Sequence, residues 1–487
     1  MMQAESADLI DKQNRLRIGS GIRAALPAVC LILMLAGCES YHRLPLTNQA
    51  VRRSLAVPSW KKLRQKAAYF ARIAAGQVQL QPKRGLLPSE AAIIAVLVNP
   101  DLREIRDARG EAAAQLLQAG ILPNPQLSES TDFVTGGFTQ GTFNAYGLSL
   151  NWNLSRLIDR QARIAAARYQ CGRVDLEIAW REWQTAIAAK LAVYNLTVAR
   201  TERQQAVVAA TELAKGYAIA RKAYAEHLST VLEFNAARAA SRQANDLILK
   251  LNQTMTRQRL ALTRVLGVPP HTPVHVSRRL QLPSRAILPA EGLLVKDMER
   301  YRPDLLALQM GYKSQEERLR AAILRQFPNI SIGFQQASDN TNVHTTGFGV
   351  TVDLPIFDHN QGNIAIQKAS RQALFDAYAA RVFAARSDIA VNVANVRELS
   401  VRISALEKSV RSLASLVRRY RQALRVGNTD VVSYYALISE LVGSRIRLIA
   451  LKGQLEQNVL ALELASGQYL DINKAHHASG AAMNWRH

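Results

Sequence analysis

Two stretches of this chain alternate strictly between apolar and small or polar side chains. In the first, Tyr146, Leu148, Leu150, Trp152 and Leu154 alternate with Gly147, Ser149, Asn151 and Asn153. In the second, Phe348, Val350, Val352 and Leu354 alternate with Gly347, Gly349, Thr351 and Asp353. Period two is the mark of a strand with one apolar face and one wet face. No proline follows Leu154 until Pro269, and none follows Pro355 at all. Each stretch therefore predicts a two-faced strand feeding a very long helix.

Each strand has a predicted partner. Ile330, Ile332 and Phe334 alternate with Ser331, Gly333 and Gln335, with a turn near Asp339-Asn340. A weaker strand starts near Gln126, with its turn near Gly136-Gly137. Ahead of it, Pro88-Ser89-Glu90 opens a helix in which Ser89 is placed to cap and Glu90 to sit in the first turn. That helix runs to about Leu122, with a break at Asn99-Pro100. Arg156 to Leu266 is proline-free and Ala-rich, too long for one helix of a globular domain. A break is expected at Glu226-His227-Leu228-Ser229, with Ser229 capping the next helix. Gly267 to Pro289 is a proline-broken connector, and Glu291 to Arg325 is helical again.

The two halves repeat one another. Pro100-Asp101-Leu102 returns as Pro303-Asp304-Leu305, Pro123-Asn124 as Pro328-Asn329, and Gly267 as Gly467. In the second long helix Val396, Leu399, Ile403, Leu406, Val410, Leu413, Val417, Tyr420 and Leu424 recur at alternating spacings of three and four, a coiled-coil seam. Its tail recurs in the first half as Leu213, Tyr217, Ala220 and Tyr224. Together these matches indicate a duplication. Each half reads as one helix of about 105 Å, at 1.5 Å per residue, paired with two shorter ones end to end.

Strands of about 9–11 residues can span a bilayer with apolar side chains toward lipid. The lipid-facing set would then be Tyr146, Leu148, Leu150, Trp152, Phe348, Val350, Val352 and Leu354. A four-strand set cannot close, and an open edge in lipid leaves backbone groups unpaired. Transmembrane strands would thus require several copies to share one barrel. The same patterning fits soluble hairpins packed on a helix, so the alternation alone leaves both readings open.

Composition sharpens the picture at the N-terminus. The chain has 487 residues, 48% of them hydrophobic and 6% aromatic, which suits Ala-rich helix. The net charge is +24, yet no zinc-finger spacing or stacking-aromatic cluster points to nucleic acid. Ala24 to Leu35 is an apolar run behind Arg15, Arg17 and Arg23, too short to span a bilayer but suited to a signal-peptide core. It ends in Leu35-Ala36-Gly37-Cys38, which resembles the lipobox of bacterial lipoproteins and implies lipidation of Cys38. Glu39 in the next position then implies sorting to the outer membrane. The segment ahead of the run is long and holds Glu5, Asp8 and Asp11, so translation is expected to start later. Cys171 has no disulfide partner or metal-ligand spacing and reads as an ordinary thiol. The domain reading is 1–37 signal peptide, 38–88 lipid-anchored lead-in, 89–267 first repeat, 268–289 connector, 290–467 second repeat and 468–487 tail. Strands fall at about 126–154 and 329–355.

From Pro88 to Gly467 the chain resembles the TolC-like outer-membrane efflux family. The matching features are Leu122-Pro123-Asn124-Pro125, Phe327-Pro328-Asn329, Leu354-Pro355-Ile356-Phe357-Asp358 and Val426-Gly427-Asn428-Thr429, in this order and duplicated. The resemblance implies a mostly helical chain with transmembrane strands. Three chains of four strands would build an outer-membrane barrel continued by a helical periplasmic tunnel. It implies as partners a periplasmic adaptor protein, an inner-membrane transporter and outer-membrane lipid, with no cofactor, resident metal or catalytic residue. The stretch Leu354 to Ile364 resembles the heavy-metal branch, which implies metal cations as cargo. Adaptor-docking tips carry over to Val426, Gly427, Asn428 and Thr429, and in the first half to Glu226, His227, Leu228 and Ser229. Where some members narrow the entrance with acidic residues, this chain has Ser433 and Ala436. Arg411, Arg418 and Arg425 lie one heptad apart, with Arg421 nearby. Facing the lumen they would favour anions; facing solvent they would be a charged surface. Neither His271 with His275, set among prolines, nor His476-His477 forms a catalytic or metal constellation. The competing readings are a periplasmic adaptor or coiled-coil scaffold lipoprotein, and the outer-membrane duct of a type I secretion system.

Overall fold

A computed structural model describes residues 39–57, 63, 65, 85–138, 140–425 and 431–470. The chain divides into two units, Met1–Ala56 and Val57–His487. The first holds a short helix, α1 (Asn48–Ser54), whose first turn is capped by Thr47 Oγ1 accepting from Ala50 N at 3.2 Å.

The second unit is the duplicated body. In order it contains α2 (Pro88–Val98), α3 (Pro100–Gly120), β1 (Gln126–Asp132), β2 (Ala145–Asn153), α4 (Ser155–Ile158), α5 (Arg160–Ala225) and α6 (Val231–Leu266). The pattern repeats as α7 (Glu291–Tyr301), α8 (Pro303–Leu324), β3 (Ile330–Ser338), β4 (His344–Val352), α9 (Gln361–Arg425) and α10 (Val431–Ser466). The long helices have 66 and 65 residues and their returning partners 36 each. At 1.5 Å per residue the long ones span about 100 Å. In the first repeat α5 packs along both α6 and the tandem α2–α3; in the second α9 packs along α10 and α7–α8. α5 also packs on α8 and α10, so the repeats share one helical layer.

Local chemistry sets the boundaries, and in several places differs from expectation. The helix from Pro88 starts one residue before Ser89: Leu87 is the cap position, and its N–H donates to Glu90 Oε2 at 2.9 Å. Ser89 is therefore inside the helix. Asn99 closes α2 and opens α3, its Oδ1 accepting from Asp101 N at 2.8 Å. The first long helix begins at Arg160 after the short α4, with Asp159 between them. α6 is capped by Thr230, not Ser229. Thr230 and Glu233 form a reciprocal capping box, with Glu233 N donating to Thr230 Oγ1 at 3.2 Å and Thr230 N to Glu233 Oε2 at 2.8 Å. The Ser229 hydroxyl is buried without a partner among the described residues. β4 stops at Val352, so Leu354 lies beyond the strand.

Most of the coiled-coil seam is buried or half-buried. Val396, Leu399 and Ile403 join Leu455 and Val459 of α10 in one cluster. Val410, Leu413, Val417, Tyr420 and Leu424 join Tyr434, Tyr435 and Ile438, together with Leu213 and Tyr217 of α5. Tyr224 is exposed. A third cluster places Leu86, just ahead of α2, and Val276 of the connector against α2, α5 and α6. The connector is not helical at His271 or His275, so no helix face aligns those two.

Candidate functional site

The four strands form one antiparallel sheet in the order β1-β2-β3-β4. Register assigns each side chain a face, because directly paired residues on neighbouring strands point the same way. Leu127, Leu150, Phe334 and Phe348 form one row across the sheet. Trp152, Ile332 and Val350 form the next, and Ile330 with Val352 a third on that face. The opposite face carries Gln126, Asn151, Gly333 and Gly349 in one row and Ser128, Ser149, Gln335 and Gly347 in another.

Tyr146, Leu148, Leu150, Trp152, Phe348, Val350 and Val352 therefore share one face, and it is uncovered. Phe348 is 72% exposed and Val350 58%. A shallow groove of about 310 Å³ on this face is lined by Leu150, Trp152, Ile332, Phe334 and Phe348. Trp152 satisfies its indole by donating Nε1–H to Pro123 O at 2.8 Å, so its ring lies on the face with no polar atom wasted. Leu127, Ile330, Ile332 and Phe334 extend the same face beyond the residues expected to meet lipid. For β3 the alternation itself carried the signal; for β1 the single apolar residue Leu127 gave almost none. Among the described residues β1 and β4 each pair on one side only.

Below the sheet, buried Asp159 gathers the helix ends. It accepts from Arg163 Nε at 2.8 Å and from Arg325 Nε at 2.7 Å. Arg160 and Arg163 also donate to the last carbonyls of α3, at Gly120 and Ala119. These guanidinium groups satisfy carbonyls that a helix end leaves orphaned. This joint is made by residues far apart in sequence and leaves no local mark in it. Cys171 is half-buried and donates its S–H to Ala112 O at 3.3 Å, with burial pushing the thiol pKa up.

At the other end of the long helices lie the turns. Between α5 and α6 the chain makes a Schellman closure: His227 N donates to Tyr224 O at 3.1 Å and Leu228 N to Ala223 O at 2.7 Å. His227 takes the left-handed conformation, φ 59°, that glycine usually fills. Glu226, His227 and Leu228 are exposed there. The second tip, Val426, Gly427, Asn428 and Thr429, lies outside the described residues, as does Cys38.

Near these tips Arg411, Arg418 and Ser433 are exposed; nothing is described of the Arg425 side chain. Arg421 ties the repeats together, donating Nη2–H to Glu212 at 2.8 Å and Nε–H to Tyr434 Oη at 3.0 Å. The Tyr435 hydroxyl sits against Gly216, where a Cβ would come within 2.6 Å of it. Among the described residues no group of three His, Cys, Asp or Glu side chains is placed to hold a metal, and no helix is long and apolar enough to cross a membrane.

Residues 294–468 match the family model of the outer membrane efflux protein. The chain is 25% identical over 293 residues to the cobalt-zinc-cadmium resistance protein CzcC of Cupriavidus metallidurans, covering 59% of this chain and 68% of that one. Its fold superimposes on CusC, a protein solved in connection with folding and transmembrane channel formation, with TM-score 0.65 and 20% identity over 81% of this chain and 96% of that one. It also superimposes on the outer-membrane channel OprN, with TM-score 0.67 and 15% identity over 89% of this chain and 99% of that one. The second repeat carries the match to the outer membrane efflux protein model, and the likeness of fold to these solved structures extends across both repeats.

Proposed function

We propose that three copies of this chain share one barrel in the outer membrane and continue it as a helical tunnel through the periplasm. The tunnel conducts cargo delivered by an inner-membrane transporter through a periplasmic adaptor protein. The observation that carries this reading is the sheet: one face that is apolar and exposed across the rows from Leu127 to Val352, one polar face, and, among the described residues, two edge strands that each pair on one side only. In lipid such edges must find partners, because an unpaired backbone group costs several kcal/mol there. Further copies of the same sheet supply them.

The cargo is metal cations. The stretch Leu354 to Ile364 and the likeness to CzcC support this. The exposed tip at Glu226, His227 and Leu228, with Ser229 beside it, and the second tip at Val426 to Thr429 are the docking points for the adaptor. Lipid on Cys38 anchors the chain to the membrane, a reading that rests on Leu35-Ala36-Gly37-Cys38 and the apolar run before it.

Single cysteines test the wall. Replacing Leu148 or Val350 by cysteine should give sites that react with lipid-phase reagents. Cysteine in place of Ser149 or Thr351 should react only from the aqueous lumen. Equal reactivity of both sets toward aqueous reagents would show a soluble sheet. Loss of cobalt, zinc or cadmium tolerance on deleting the gene, restored by the intact chain, would establish the cargo; unchanged tolerance to all three would remove it.

A further inference from the structure

Along the strands, the apolar residues of the uncovered face are not evenly spread. On that face β3 places Ile330, Ile332 and Phe334 first, then Gln336 and Ser338. β4 begins there with His344 and Thr346 and continues with Phe348, Val350 and Val352. β1 contributes Leu127, followed by Glu129 and Thr131. Of the four strands only β2 stays apolar or aromatic on this face throughout, from Tyr146 to Trp152. The polar residues gather at the ends of β1, β3 and β4 farthest from the helices, where Glu129, Thr131, Gln336, His344 and Thr346 are exposed.

At the other end the apolar face runs on past the strands. Asp353 N donates to Asn329 O at 2.9 Å, which carries the β3–β4 pairing one step further. By alternation Leu354 then falls on the apolar face, and it is 72% exposed. Leu154 N donates to Ile330 O at 2.9 Å and continues β2 in the same way. The groove on this face also takes in Pro125, just ahead of β1. Asn329 and Asp353, on the opposite face, bond each other through their side chains at 3.0 Å. Beyond Leu354 come exposed Ile356 and Phe357, and then the polar Asp358, His359 and Asn360.

Length gives this offset its meaning. β3 and β4 have 9 residues each. At about 3.4 Å per residue and a tilt of about 40° such strands rise roughly 23 Å, close to the ~25 Å apolar band of a membrane barrel. Centred strands would therefore fill the band, but at a cost. Glu129, Gln336 and Thr346 would lose water to hydrocarbon, and Leu354 would stand in water. Sliding the sheet outward by about four residues, roughly 10 Å along the membrane normal, removes both costs.

We propose that the sheet sits off-centre in the membrane. The outer ends of β1, β3 and β4 stand in the headgroup layer, and acyl chains of the periplasmic leaflet cover Leu354 and the junctions between strands and helices. This placement rests on the sheet spanning the outer membrane, and adds where along each strand the hydrocarbon begins and ends.

Spin labels on single cysteines of the full-length protein in phospholipid liposomes test it, with the unsubstituted protein as background. Collisions with oxygen, which concentrates in hydrocarbon, are compared with collisions with a polar nickel chelate, which is excluded from it. Thr346 and Val350 lie two residues on either side of Phe348, the middle of β4. The nickel collision rate at V350C should be at least about tenfold below that at T346C, and L354C should match V350C. I332C and Q336C, in the same two rows on β3, should repeat the contrast. T351C, on the polar face, should be open to nickel and shows that the chelate reaches the lumen. Equal rates at T346C and V350C, with L354C open to nickel, mean a centred sheet and overturn the placement while leaving the membrane reading intact. Free nickel access at V350C, L354C and I332C alike takes the sheet out of the membrane, and the placement falls with it.

Discussion

In the first repeat Asn99 precedes Pro100 at the joint between α2 and α3; in the second Arg302 precedes Pro303 between α7 and α8. Both side chains reach the same place. Asn99 Nδ2 donates to Val265 O at 2.9 Å, and Arg302 Nη1 to Ala465 O at 2.9 Å. Each acceptor lies two residues before the glycine that ends the returning helix, Gly267 at φ 70° and Gly467 at φ 72°. The surrounding chemistry differs. Asn99 is neutral, whereas Arg302 is 2% exposed and its charge must be answered in place. Asp304 pairs with it at 3.0 and 2.7 Å, Arg381 joins Asp304 at 2.6 Å, and the Trp180 ring lies 5.1 Å from the Arg302 guanidinium. Burial pushes the Asp304 carboxyl up, and the hydrogen bonds from Arg302 and Arg381 outweigh it, leaving it below its ordinary value.

The returning helices differ in the same sense. Counting back from the terminal glycine, α6 has Thr263 and Thr256 where α10 has Glu463 and Glu456. Glu463 is held by Lys190 of α5 at 2.8 Å and accepts from Leu470 N at 3.1 Å. Glu456, 3% exposed, is pushed up to about 7 by burial and then by the charge of Glu463, against the pull of Lys190 and Tyr194. Proline, glycine and helix length preserve the shape of the repeat, while the side chains at its joints are free to diverge. Here the second repeat has become the ionic one.

That contrast can be broken in steps, each read by thermal unfolding of the detergent-solubilised protein. R302A removes one member of a buried ionic group and should cost about 3–5 kcal/mol. N99A removes two hydrogen bonds at the matching joint and should cost only about 1–2 kcal/mol. Equal losses would show that the charges add nothing. Next is pH. The native state binds the Glu456 proton more tightly than the unfolded chain, whose carboxyl keeps its ordinary value of 4.5. The Glu456 contribution is therefore most favourable below that value and is lost as pH rises through about 7. E456Q should remove a pH-dependent difference on the order of 3 kcal/mol between pH 4.5 and pH 8. A change at Thr256 should leave the pH profile as it is.

G267A and G467A should each cost about 2 kcal/mol, from left-handed backbone and crowding. The first should be the worse, because its Cβ would meet Asn99 Cα at 2.6 Å. Smallest is H227G, which relieves a left-handed histidine and should stabilise the protein by up to about 1 kcal/mol. Destabilisation instead would mean that the imidazole is held by something at the tip.

What the sequence showed depends on how local each signal is. β2, β3 and β4 are visible because alternation is a property of consecutive residues. β1 was the weakest because Gln126–Asp132 is exposed throughout and contains one apolar side chain. The α6 cap is Thr230 rather than the expected Ser229, and the sequence holds the discriminating signal: Glu233 stands three residues after Thr230, whereas Leu232 stands three after Ser229. The left-handed His227 was not legible, since a histidine carries no mark of positive φ. The Asp159 joint joins partners 166 residues apart, which no local pattern reveals. Val426 to Thr429 and Cys38, chosen by resemblance, lie outside the described residues.

The account stands on the sheet being one third of a closed wall. Native mass spectrometry of the purified full-length protein, followed by reconstitution of the same sample into planar bilayers, tests this directly. The account predicts a three-copy species that opens discrete conductance steps. A stable single copy that leaves the bilayer silent would contradict it.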